Sequence, residues 1–137
     1  MGLESKKKIL IAEDDPDMFN LYKGLFKDAF ELIPAANGKE AVSLAISQLP
    51  DLVIMDVMMP EMDGWEALTQ IKQNPVTAKI PVILLSALSE YTDIRRGYNL
   101  GADSYITKPF STKELMTTLN LCLRGASETT RPVPSGQ

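Results

Sequence analysis

The chain has 137 residues, 45% hydrophobic and 23% charged, enough apolar material for one packed domain. Its 14 basic and 18 acidic residues leave a net charge of -4, which argues against a nonspecific nucleic-acid binder. Histidine is absent and Cys122 is the lone cysteine, which excludes His-ligated metals, Ser-His-Asp triads, a phosphohistidine on this chain and an internal disulfide.

No apolar run approaches the ~20 residues of a membrane span. The opening "MGLESKKKILIAEDD" is too charged for a secretory signal, so a reducing cytoplasm is the expected setting. Residues 1–7 read as an N-terminal extension, with Lys6-Lys7-Lys8 a solvated run. "KILIAE" (8–13) predicts a buried strand. Asp15-Pro16 then looks like a helix N-cap with proline at the first helical position, followed by Met18, Tyr22, Leu25, Phe26 and Ala29 at helical spacing. "ELIPAA" (31–36) is a weaker strand whose Pro34 points to a sheet edge. Asn37-Gly38 reads as a turn before a second helix marked by Ala41, Val42, Ala45, Ile46 and Leu49.

"LVIMD" shows no alternation, hence a strand buried on both faces. A third helix is expected over Trp65 to Lys72, and "IPVILLSA" (80–87) is another doubly buried strand. Residues 90–100 predict a poorly amphipathic helix with Tyr91, Ile94, Tyr98 and Leu100 as its apolar positions. "SYITK" is the last strand. "STKELMTTLNLCL" opens with a capping box, Ser111 and Glu114, and turns Leu115, Leu119, Cys122 and Leu123 inward. Residues 125–137 are polar and Pro-rich, a flexible tail or a truncated linker. Five strands alternating with five helices predict an α/β fold, a doubly wound parallel sheet with helices on both faces.

Ligands of such sheets bind beyond the carboxyl ends of the strands. The first strand ends in Glu13-Asp14-Asp15, the third in Asp56, the fourth in Ser86 and the fifth in Lys108, followed by Pro109. Carboxylates brought together repel unless a cation joins them, and without His or Cys ligands that cation should be hard, as Mg²⁺ is. A carboxylate is also a nucleophile towards phosphorus, and Lys108 and Ser86 would hold phosphoryl oxygens. The turn after Asp56 would let a backbone carbonyl near Met58 reach the same metal.

"ILIAEDD", "DLVIMDVMMPEMDGWEAL", "IPVILLSA" and "GADSYITKPF" resemble the receiver domains of two-component response regulators over about residues 8–124. The resemblance implies sheet order 2-1-3-4-5 and Asp56 as phosphoacceptor. It implies Asp14 and Asp15 as the acidic pair, Asp15 the more direct Mg²⁺ ligand, with the Met58 carbonyl joining them. It makes Ser86 the phosphoryl-binding hydroxyl, Lys108 the phosphate-binding lysine before a cis Pro109, and Tyr105 the switch aromatic. A histidine kinase or histidine phosphotransfer protein would supply the phosphoryl group. An effector would read the face of helix 4, strand 5 and helix 5, without direct nucleic-acid or membrane contact.

The chain would then be a switch rather than an enzyme, with at most slow self-dephosphorylation. Two other readings stand beside it. One is a phosphohydrolase with an aspartyl intermediate, for which Met58 occupies the place of an acid/base. The other is a receiver-like interaction module that is never phosphorylated. Ser104 and Met116-Thr117-Thr118 stand where tightly dimerising, DNA-binding regulators usually carry an acid and basic residues, so a tight dimer is not expected. Trp65 and the cluster Met55, Met58, Met59 and Met62 read as packing.

Overall fold

Strands and helices alternate throughout residues 6–127, the part of the chain that the computed structural model describes. They are β1 (Lys8–Ala12), α1 (Pro16–Phe26), β2 (Glu31–Ala35), α2 (Gly38–Gln48) and β3 (Leu52–Met55), then α3 (Gly64–Gln73), β4 (Val82–Ser86), α4 (Tyr91–Asn99), β5 (Ser104–Thr107) and α5 (Thr112–Ser127). Of the expected extension (1–7) residues 1–5, and of the expected tail (125–137) residues 128–137, lie outside the described residues, while 125–127 belong to α5 rather than to a tail.

The strands form one parallel sheet in the expected order, β2-β1-β3-β4-β5. Successive side chains of a strand point to opposite faces, and here both faces are covered. Leu10, Ala12, Val53, Met55, Val82 and Leu84 share a core with α2 and α3. Ile9, Ile11, Leu52, Ile54, Ile83 and Leu85 share the other with α1 and α5. This is why the central strands show no alternation in sequence. Each fully buried Ile or Leu contributes roughly 1.5–3 kcal/mol. Pro34 stands opposite Ile11 in β2, the outermost strand on its side, where a missing N–H leaves no ladder position unfilled.

Several local expectations change. α1 ends at Phe26, which leaves Ala29 outside it. Asn37 and Gly38 are not a free turn: the Asn37 side chain caps α2 by accepting from the Glu40 N–H, and Gly38 is its first residue. Ile46 and Leu49 face outward, 43% and 51% exposed, and the buried line of α2 is Gly38, Ala41 and Ala45. In α4, Tyr91 and Tyr98 are exposed, and Gly97 takes the inward place. A helix whose buried position is a glycine offers no apolar stripe to read. On α5, Leu115, Leu119 and Cys122 are buried as expected. No helix among the described residues is long and apolar enough to cross a membrane.

Candidate functional site

The carboxyl ends of β1, β3, β4 and β5 meet at one edge of the sheet. The ladder carries on past β1 and β3, with the Glu13 N–H donating to the Ala35 carbonyl and the Asp56 N–H to the Ala12 carbonyl. Both acids are thereby aimed by backbone rather than held on loose loops. Glu13, Asp14 and Asp56 each place a carboxylate oxygen within 4.8 Å of the others. From β5, the Lys108 ammonium donates to Asp56 Oδ2 at 3.0 Å and to Glu13 Oε1 at 3.2 Å. Lys108 is itself fixed by its N–H on the Ser86 carbonyl, at 2.8 Å, and its peptide bond to Pro109 is cis. Asp56 Oδ1 accepts from the Met58 N–H.

Ser86 is fully buried, and its hydroxyl oxygen accepts from the Leu88 N–H at 3.2 Å. The Tyr105 hydroxyl donates to the Leu88 carbonyl at 2.7 Å, so serine and tyrosine meet on one residue of the β4–α4 loop. Asp14, Met58, Met59, Asp63, Trp65 and Leu88 line a cleft beside this group.

Asp15 departs from the sequence reading. Its Oδ1 accepts the Asp17 N–H and caps α1, and the acid beside Asp14 in the cluster is Glu13. The reason is local: a carboxylate that caps a helix beginning at Pro16 is turned away from the strand end. Asp15-Pro16 already carried that signal. Asp15 supports the cluster differently, through its own N–H on Glu13 Oε2.

Burial pushes the Glu13 carboxyl above its ordinary range and Asp56 adds to this, while the Lys108 charge and the Asp15 N–H act in the opposite sense. For Lys108, burial disfavours the charged form, but the hydrogen bond and charge of Asp56, with those of Glu13, outweigh it and hold the ammonium above its ordinary value. Burial likewise raises the Tyr105 hydroxyl. The arrangement is an ammonium set between acids, with more negative charge than it neutralises. Every donor is hard oxygen, which suits a divalent cation such as Mg²⁺.

Two glycines that the sequence reading did not connect to the site shape its surroundings. A Cβ on Gly64 would press on the Asp56 carbonyl oxygen and lie 2.7 Å from Val57 Cα. Glycine is what lets the start of α3 close against the backbone of Asp56, with the Gly64 N–H on the Val57 carbonyl. Gly38 makes the same close approach to the Met62 carbonyl, whose oxygen leaves no room for a Cβ. The Asp-Gly and Asn-Gly pairs were the available signal.

Residues 9–120 match the response regulator receiver domain family. The chain is 37% identical over 125 residues to a probable transcriptional regulator of Guillardia theta, covering 90% of this chain and 48% of that protein. It thus spans about half the length of that relative. The receiver domain of a signal transduction histidine kinase from Syntrophus aciditrophicus superposes with a TM-score of 0.82 at 36% identity, over 94% of this chain and 98% of that one. A sensor histidine kinase receiver domain from Pseudomonas aeruginosa, solved with a magnesium ion coordinated in its active site cleft, gives 0.81 at 26% identity, over 88% of this chain and 99% of that one. The chain belongs to the receiver domains of response regulators, the phosphorylation-activated switches of two-component signalling.

Proposed function

We propose that Asp56 accepts a phosphoryl group from a histidine kinase or a histidine phosphotransfer protein. The observation that carries this reading is the Asp56 carboxylate itself: aimed by β3, grouped with Glu13 and Asp14, and hydrogen-bonded to Lys108. A carboxylate oxygen attacks phosphorus, the bond to the donor nitrogen breaks, and Lys108 holds a phosphoryl oxygen. Glu13, Asp14 and Asp56, with the Met58 carbonyl, would bind Mg²⁺, which supplies neutralising charge to the phosphoryl oxygens. The Ser86 hydroxyl then turns from the Leu88 N–H towards the phosphoryl group. Tyr105, tied to the same Leu88, follows, and the face of α4, β5 and α5 changes its affinity for an effector.

Turnover is slow in this reading. Met58 and Leu88 flank the cleft, and neither side chain orients water or moves a proton. The test is incubation with Mg²⁺ and a small acyl phosphate. A lasting one-phosphoryl adduct is expected. Rapid multiple turnover would make the chain a phosphohydrolase, and absence of any adduct would make it an unphosphorylated interaction module.

A further inference from the structure

Trp65 lies in the wall between two hollows. On one side it lines the cleft with Asp14, Met58 and Leu88; on the other it lines a groove with Asp63, Glu66 and Arg96. Trp65 is 8% exposed, and the Arg96 guanidinium carbon sits 4.6 Å from its ring centroid. Trp65 belongs to α3 and Arg96 to α4, so the stack joins the two helices.

Among the described residues of α4 only Gly97 is buried. Gly97 rests against the Tyr105 ring and Leu84: a Cβ there would come within 2.8 Å of Tyr105 Cδ2 and 3.0 Å of Leu84 Cδ1. The β4–α4 loop is held by the Tyr105 hydroxyl on the Leu88 carbonyl. Two of the attachments at α4 thus involve Tyr105, and the Arg96–Trp65 stack is one that does not. If Tyr105 moves, the stack still resists displacement of α4.

We propose that Arg96 is a positioning residue: stacked on Trp65, it clamps α4 in the resting arrangement and sets how readily an occupied cleft shifts it. The proposal rests on the phosphoacceptor reading for what occupies the cleft. A contact made only in the resting state favours that state, and its removal tightens any ligand of the other state by the same factor.

The test compares the parent chain with Arg96→Met, which keeps an unbranched apolar stem without the charge, and Arg96→Lys, which restores a cation. Hydrogen exchange of α4 amides is measured without ligand, and calorimetry follows binding of beryllofluoride, a phosphoryl mimic, with Mg²⁺. Arg96→Met should speed α4 exchange and tighten beryllofluoride binding roughly two- to fivefold, the scale of a partly exposed cation–π contact. Arg96→Lys should fall between. Unchanged exchange overturns the clamp. Faster exchange with unchanged or weaker binding also overturns it, since that is the behaviour of a merely structural contact. If the parent binds no beryllofluoride, the phosphoacceptor reading fails and the coupling with it, while exchange still judges the contact between α3 and α4.

Discussion

At the scale of residues, the site is a set of like charges around one ammonium, and each acid has a separable role. Because the folded-state pKa of Glu13 is raised, its stabilising contribution is present below the ordinary value of 4.5 and is lost as pH rises through the folded value. Ionised Glu13 thus opposes folding at neutral pH. Glu13→Gln should raise the melting temperature of the metal-free chain and weaken Mg²⁺ binding, measured by thermal melts and calorimetry. Asp15→Ala should instead destabilise the chain. Losing the α1 cap should cost about 1 kcal/mol in denaturant unfolding, with Mg²⁺ affinity close to the parent's. A large loss of Mg²⁺ affinity in Asp15→Ala would restore Asp15 as a ligand. Met58→Asn and Leu88→Glu each put a polar group beside the path of an attacking water. Both should shorten the lifetime of the phosphorylated form without changing its Mg²⁺ dependence; lifetimes equal to or longer than the parent's would show that these side chains do not gate water.

At the scale of elements, backbone proximity and a few long-range ties do the positioning. Lys72 on α3 donates to the carbonyls of Ala78 and Ile80 and to Asp103 Oδ2, and Asp103 also accepts the Val82 N–H. One side chain thus joins α3, the segment leading into β4 and the approach to β5. Lys72→Met should cost roughly 1–3 kcal/mol in chemical denaturation, since it leaves the Ala78 and Ile80 carbonyls without the Lys72 donor. Gly64→Ala should be costly for a different reason, a Cβ forced onto the backbone of Asp56 and Val57. What the sequence made legible here follows from periodicity. Doubly buried strands and the inward face of α5 could be read because apolar residues fill them. The helix over residues 90–100 was read, but its inward face was not, because a glycine and a ring from β5 make its contact, and pattern reading sees neither. The placing of Glu13 over Asp15 was legible only in part: the helix-cap signal at Asp15-Pro16 was present, but three consecutive acids offer two possible pairs.

At the scale of the whole molecule, two apolar cores grip one sheet and leave its carboxyl edge free for charge. The same sheet joins that edge to the face of α4, β5 and α5 through Ser86 and Tyr105 on adjacent strands, β4 and β5. On that face Ser104 and Met116-Thr117-Thr118 stand where tightly dimerising regulators usually carry an acid and basic residues, although Glu114 and Arg124 keep charge on α5. The phosphorylated chain should therefore sediment as a monomer, and a strong dimer through this face would refute that. In the proposed function, switching through this face depends on Asp56 as the acceptor. The most direct measurement is to phosphorylate the chain with a small acyl phosphate and Mg²⁺, reduce the adduct with borohydride, which converts a phosphorylated aspartate to homoserine, and map the peptides by mass spectrometry. Homoserine at position 56 alone, and none in Asp56→Asn, is the predicted result. Homoserine at another aspartate, or none anywhere in the parent, would contradict it.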